Sequence, residues 1–394
     1  MDIKELRREF HRIPEIGFKE YKTTKRIISY LKNMENGKLI YGKALYGEAE
    51  NSNDTDIDEG YTGALIEFGQ APFFMFRADI DALPVLESSS DEHIPKKLGF
   101  RSTIEGNMHA CGHDGHISIA LKLAEKFNAD PSLYSGRGVR ILFQPAEEGV
   151  QGAAKIPEFV TKDVDKMIGY HIGLGEPEGF IGVGSTNFLG VKKLFVKFFG
   201  KAAHAANNPE DGISALNMAL AFINLNRTLI EDSKKKRVMN IGMIHGGNAM
   251  NIIMDEITLG IDLRSIDNDV LDEMYETILK TSRSISESIG GSSSVEIEGE
   301  ARGYVEEDGD LMDKVSKKLE NAGIKTTINP NFGASEDVTK YILDVKKNGG
   351  KAIHLLFGAD LAGSHHSSTF DFNDDNLEKY YEATLLTYKS MLED

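Results

Sequence analysis

The chain has 394 residues, with 45 Lys+Arg against 62 Asp+Glu and a formal net charge of −17. That surplus repels nucleic acid and anionic lipid, so neither is an expected partner, and an acidic substrate needs locally placed cations. A single cysteine excludes an intrachain disulfide and fits a reducing cytoplasm, the expected location; the charged, amphipathic start lacks the apolar core of a signal peptide, and no apolar run is long enough to span a bilayer.

The length predicts two domains. Residues 2–12 and 20–34 read as helices, with Ile3, Leu6 and Phe10 sharing one face and Ile27, Leu31 and Met34 another. The polar, acidic stretch 47–61 reads as an exposed loop or hairpin tip. Short apolar runs follow: "GALIEF" (63–68), "FFMFRAD" (73–79), "GVRILFQ" (138–144) and "DKMIGYH" (165–171). Helical patterns separate several of them, which is the rhythm of an α/β sheet. From about 189 the texture changes to a half-exposed strand, a helix over 210–230, strands over 240–247 and 256–265, a helix over 267–289 and a strand over 293–299. That βαββαβ order predicts a ferredoxin-like α+β module over 189–300, inserted in a main domain formed by 1–188 and 301–394. The α/β texture returns with a helix over 308–322, "EDVTKYIL", a strand over 352–358 and a last helix over 374–392.

In α/β sheets, functional groups collect beyond the carboxyl ends of strands. Here "FFMF" delivers Asp79 and Asp81, "RILFQ" delivers Glu147 and Glu148, "DKMIGY" ends in His171, and "LLFG" leads to His365 and His366. "NMHACGHDGHISIALKLAEKF" (107–127) adds Cys111 and His113 in a glycine-bearing loop before a helix anchored by Ile117, Ala120, Leu121, Ala124 and Phe127. Imidazole, carboxylate and one thiolate together suit Zn²⁺ or Mn²⁺. Adjacent side chains of an extended segment point to opposite sides. One of Glu147 and Glu148 can therefore bind metal while the other takes a proton from an acidified water. Each group also has an ordinary reading: a structural histidine, a solvated Glu–Glu turn, a surface His pair. Their joint placement at strand ends is what marks a site. His109 and His116 read as supporting or structural. Asp114 either caps the helix over 116–127 or orients a ligand. A thiol nucleophile at Cys111, with His113 and Asp114 beside it, is the competing reading, but groups this close in sequence rarely converge on one reacting atom.

"FRADIDALP", "MHACGHDGH", "LFQPAEEG", "GYHIG", "AAHAANNPEDGISA" and "GASEDVT" resemble the M20 metallopeptidases, in particular their amidohydrolase branch, subfamily D. The likeness runs from "HRIPEIGF" to "HHSSTFDFND". It implies a metal-bearing α/β catalytic domain with a mixed twisted sheet and a lid that dimerises. It also implies a pair of Mn²⁺ or Zn²⁺ ions held by Cys111, His113, Glu148, His171 and His366, with His365 the alternative to His366. By the same resemblance Glu147 is the general base and Asp81 supports the metals, while Asp79 stands where other branches place a metal-binding histidine. His204 resembles an oxyanion-stabilising histidine that reaches a partner's active site, and Asn251 and Arg264 match positions that hold a substrate carboxylate. The implied reaction is hydrolysis of an N-acyl amino acid, with an aromatic acyl group on glutamate or aspartate as the expected substrate. The implied assembly is a homodimer, or a pairing with a related second subunit.

Overall fold

In this computed structural model the described residues are 1–231 and 237–393, and the chain divides into two compact units, Met1–Asn187 with Val305–Asp394, and Phe188–Tyr304. The second unit starts one residue before the expected boundary and ends four after it, because Phe188 and Tyr304 exchange backbone hydrogen bonds (3.0 and 3.2 Å) and close its neck.

The first unit is built on an eight-stranded sheet of β1 (Gly37–Tyr41), β2 (Ala64–Gly69), β3 (Phe73–Asp79), β4 (Gly138–Gln144), β5 (Val164–Ile172), β6 (Phe180–Val183), β11 (Lys325–Ile328) and β12 (Lys351–Phe357). Their order is β1-β2-β4-β3-β5-β12-β6-β11. The four central strands β4, β3, β5 and β12 are mutually parallel, so their carboxyl ends open at the same edge. Strands this deep are buried on both faces and read as near-continuous apolar runs; every residue of β3 and β4 is buried. Phe74 and Phe76 meet Phe127 and Tyr388 from the helices His113–Ala129 and Leu377–Leu392. Each such ring contributes about 1.5–3 kcal/mol by burial. The helix Val338–Lys347 packs on β5 and β12.

The second unit is β7 (Gly190–Phe199), a helix Ala215–Glu231, β8 (Val238–Gly246), β9 (Glu256–Ser265), a helix Asn268–Ile289 and β10 (Ser292–Ala301). Its antiparallel sheet runs β10-β7-β9-β8, the ferredoxin-like order, and packs both helices over a core that includes Phe198, Phe222, Leu259 and Met274. The helix expected from 210 starts at Ala215, because Pro209–Asp211 form a separate 3₁₀ turn. Among the described residues, no helix is long and apolar enough to cross a membrane.

The expected loop over 47–61 carries a helical turn, Asp54–Ile57. Asn53 caps it, and buried Asp56 accepts the Lys43 N–H at 3.1 Å.

Candidate metal centre

The helix His113–Ala129 begins where Gly112 turns the backbone through a φ of +90°, a conformation that favours glycine. This bend brings Cys111 and His113 to the carboxyl edge of the sheet. Cys111 Sγ lies 3.5 Å from His171 Nε2, at the end of β5. His113 donates from Nδ1 to the backbone oxygen of Asp81 (2.9 Å), which leaves Nε2 as its lone-pair nitrogen. That Nε2 is buried without a hydrogen-bond partner and faces Glu147 Oε2 and Glu148 Oε1, each at 3.8 Å. The Glu148 N–H donates to Asp81 Oδ2 (3.0 Å), so Asp81 orients both His113 and the Glu–Glu turn. His366 Nε2 approaches Glu148 Oε2 at 3.3 Å. His366 sits at a φ of +65°, held by its own N–H donating to the Ala110 oxygen (2.8 Å). His365 points elsewhere, donating from Nε2 to the Ile172 oxygen (3.0 Å).

One donor atom from each of Cys111, His113 and His171 gathers within 4.8 Å, as do those of Cys111, Glu148 and His366, and of His113, Glu147 and Glu148. The structure thus brings together Glu147 and all five residues expected to hold metal. It does not add His109 or His116. His109 is buried with both ring nitrogens unpartnered, and burial lowers its pKa to about 3. His116 uses both nitrogens within the protein: Nδ1 meets Asp79 Oδ1 at 2.6 Å, and Nε2 accepts the Ile172 N–H at 3.1 Å.

Asp114 Oδ1 accepts the Gly115 N–H (2.9 Å) in the first turn of the helix. Its Oδ2 accepts from Arg7 Nε (3.0 Å) and from His11 Nδ1 (2.8 Å), tying the first helix to the metal loop.

Four further residues, Arg77, Gln144, Glu336 and Asp337, complete the surroundings. Arg77 donates to Gln144 Oε1 (2.8 Å), Asp79 Oδ2 (2.6 Å) and Asp337 Oδ1 (2.7 Å), and lies 3.0 Å from Glu336 Oε1. The signal was an arginine inside an otherwise apolar strand, since a fully buried charge must be paired. Asp79, Glu336 and Asp337 contact this one guanidinium and Glu147 also acts on it, a local surplus of negative charge that calls for further cations.

The electrostatics follow. Burial, then Glu336 and Glu148, push the Glu147 carboxyl well up. Burial, then Glu148 and Glu147, push the Cys111 thiol well up, against a free thiolate nucleophile. Burial would lower the His113 pKa, but Asp79, Asp81 and Glu148 raise it to about 10, so a positive charge is favoured at this place. One thiol, three imidazoles and adjacent carboxylates, with a buried bare ring nitrogen among them, fit a borderline divalent cation such as Zn²⁺ or Mn²⁺.

In the second unit, His204 is exposed and its Nδ1 accepts the N–H groups of Ala206 and Asn207, both at 3.2 Å. Its ring proton is thereby placed on Nε2. His204 pairs with Ile252, and the Asn251 oxygen accepts the Ala205 N–H at 3.0 Å, so His204 and Asn251 share one small platform. Arg264 is forked onto Asp262 within its own strand, at 2.9 and 3.0 Å.

Comparison with known proteins agrees with this chemistry. Residues 75–389 match the family described as peptidase family M20/M25/M40. The chain is 34% identical to a Haemophilus influenzae homolog of one of the subunits of p-aminobenzoyl-glutamate hydrolase, covering 96% of both proteins. It is 28% identical to the indole-3-acetyl-aspartic acid hydrolase of Enterobacter agglomerans, covering 98% of this chain and 95% of that protein. A Bacillus subtilis protein described as a dinuclear metal-binding peptidase of the M20 family shares the fold, with a TM-score of 0.70 at 23% identity, over 99% of this chain and 98% of the other. The chain is a member of peptidase family M20/M25/M40, a family of metal-dependent hydrolases of amide bonds.

Proposed function

We propose that the protein hydrolyses the amide bond of N-acyl amino acids, with aroyl- or acyl-glutamate and -aspartate as the preferred class. The observation that carries this is the convergence of Cys111, His113, Glu148, His171 and His366 beside the buried Glu147. In this reading those five residues hold two Mn²⁺ or Zn²⁺ ions. When bound, such ions supply Lewis-acid polarisation of an amide carbonyl and acidify water. Glu147 takes a proton from the attacking water and returns it to the leaving amine; its buried, carboxylate-rich setting favours the protonated form it must pass through. Asp81 holds the backbone of Glu148 and the ring of His113 in register. His204, with its proton on Nε2, is the proposed donor to the oxyanion. Asn251 and Arg264 are proposed for the substrate carboxylate, with Asp262 keeping the guanidinium in a fixed orientation. The glutamate and aspartate preference rests on the hydrolases named above, two relatives that span nearly the whole chain. A general N-acyl-amino-acid deacylase or dipeptidase of the same branch is the alternative.

Dependence on a related partner is a second reading, supported by the Haemophilus relative, whose name makes it the counterpart of one component of a hydrolase. Pairing of two copies through the second unit is supported by Val238, Met243 and Ile244, apolar and exposed on the edge strand β8. A cytoplasmic location is supported by the single, free cysteine.

The test is amine release from p-aminobenzoyl-glutamate, indole-acetyl-aspartate, acetylated amino acids and dipeptides, with and without chelator. Activity that chelation abolishes and Mn²⁺ or Zn²⁺ restores is expected. Glu147→Gln should retain metal and lose at least about a hundredfold in turnover. Indifference to chelators, with loss on alkylation of Cys111, would instead establish a thiol hydrolase. Failure on all four substrates, relieved by adding a related second subunit, would establish the partner-dependent form.

A further inference from the structure

Asp79 belongs to a chain of buried polar contacts that the proposed chemistry does not use. Its Oδ2 receives Arg77 Nη1 at 2.6 Å, and its Oδ1 lies 2.6 Å from His116 Nδ1. His116 Nε2 in turn meets the N–H of Ile172 at 3.1 Å. The Ile172 carbonyl receives His171 Nδ1 at 2.9 Å and His365 Nε2 at 3.0 Å. One residue's backbone is therefore the meeting point of three imidazoles.

Donor and acceptor rules fix every proton along this chain. A backbone N–H can only donate, so His116 Nε2 is bare and its proton sits on Nδ1, pointing at Asp79. A backbone carbonyl can only accept, so His171 carries its proton on Nδ1 and His365 on Nε2. His171 Nε2 is then the bare nitrogen, and it is the atom that faces Cys111 Sγ at 3.5 Å. Asp79 and His116 cannot themselves hold an ion with His113, although the three lie close together, because the ring nitrogens of His116 and the two oxygens of Asp79 are already engaged.

We propose that Asp79 is a positioning residue, which through His116 and the two peptide groups that flank the Ile172 Cα holds the backbone that fixes which nitrogen of His171 is presented to the metal centre. Arg77 anchors the far end, and the chain acts as a single hydrogen-bonded brace from the middle of β3 to the end of β5. Partners of this kind that orient a ligating imidazole are worth about 10–100-fold in metal affinity. The effect on metal binding rests on the proposed function; the protonation pattern does not.

The full-length protein, labelled with ¹⁵N-histidine, reports the pattern directly through long-range ¹H–¹⁵N correlations. Wild type should show His116 and His171 as Nδ1–H tautomers and His365 as Nε2–H. Asp79→Ala should lose the fixed tautomer of His116, perturb His171, and weaken Mn²⁺ or Zn²⁺ binding, read by chelator competition, by tenfold or more. Asp79→Asn, whose amide oxygen can still accept from His116, should recover part of both. If Asp79→Ala does not fold, His116→Phe takes its place: a perturbed His171 signal with metal affinity weakened tenfold or more supports the brace, and a His171 tautomer and affinity like wild type overturn it. Unchanged tautomers, or metal affinity within twofold of wild type in a folded Asp79→Ala, overturn it. A wild type with the expected tautomers but no affinity for divalent ions would leave the brace intact and overturn the metal-dependent function instead.

Discussion

Two buried triplets of arginine, aspartate and histidine brace the start of the helix His113–Ala129, and they differ in one partner. In the first, Asp79 sits between Arg77 and His116. In the second, Asp114 sits between Arg7 and His11. The remaining nitrogen of His116 meets a backbone N–H, which requires a neutral ring, and its pKa is lowered, by burial first. The remaining nitrogen of His11 meets Glu87 Oε1 at 3.1 Å. Burial alone would lower the His11 pKa, but the hydrogen bonds to Asp114 and Glu87 outweigh it and raise it. The same three residue types thus make a neutral orienting contact in one place and an ionic clamp in the other. The third neighbour decides which.

The comparison breaks most sharply at Arg7. Its guanidinium is fully buried and serves Asp114 and Asp371 together. Arg7→Met leaves buried Asp371 without its guanidinium and Asp114 with His11 alone, and should destabilise the protein by about 3–5 kcal/mol, read as a lowered denaturant midpoint. A change below about 1 kcal/mol would mean that the clamp is not ionic.

His11 sharpens the contrast through pH. With its folded pKa raised above 6.5, its contribution is fully present below that value and is lost as pH rises through the folded pKa. The lowered Glu87 carboxyl contributes above its usual 4.5 and loses that contribution as pH falls through its own folded value. The stability gap between wild type and His11→Gln should therefore narrow as pH rises above about 6.5 and through the raised folded pKa. A gap that stays constant over that range would show a neutral His11.

The smallest effect belongs to His93, a second neighbour of Glu87 at 2.9 Å. Glu87 keeps His11 and the Ser102 N–H when His93 is replaced. His93→Gln should cost about 0.5–1.5 kcal/mol and leave the His11 pH profile in place.

Strands β3 and β4 were legible to the residue, because long apolar runs end abruptly in charge. Strands β1, β6 and β11 were not. They have four or five residues, and "GKLIY" and "KTTI" lie near or at the sheet's edge with little burial to impose a pattern. The residues of the candidate site were legible as a set, since parallel strands deliver them to one edge. Their division of labour was not. Nothing local to Asp114 announces Arg7 and His11, more than a hundred positions away. Likewise, Glu336 and Asp337 acquire meaning only through Arg77, on a strand far upstream.

The fastening of His366 to the Ala110 oxygen has a consequence for synthesis. Cys111, His113, Glu148 and His171 leave the ribosome together, whereas His366 follows roughly 200 residues after His171, about 10–40 s later at ordinary elongation rates. The whole second unit is made in that interval. The nascent chain thus carries an incomplete cluster with its only thiol, before the segment that locks the cluster shut has been made. Oxidation or capture of a wrong ion is most dangerous in that window, and synthesis of the second unit takes up most of its length.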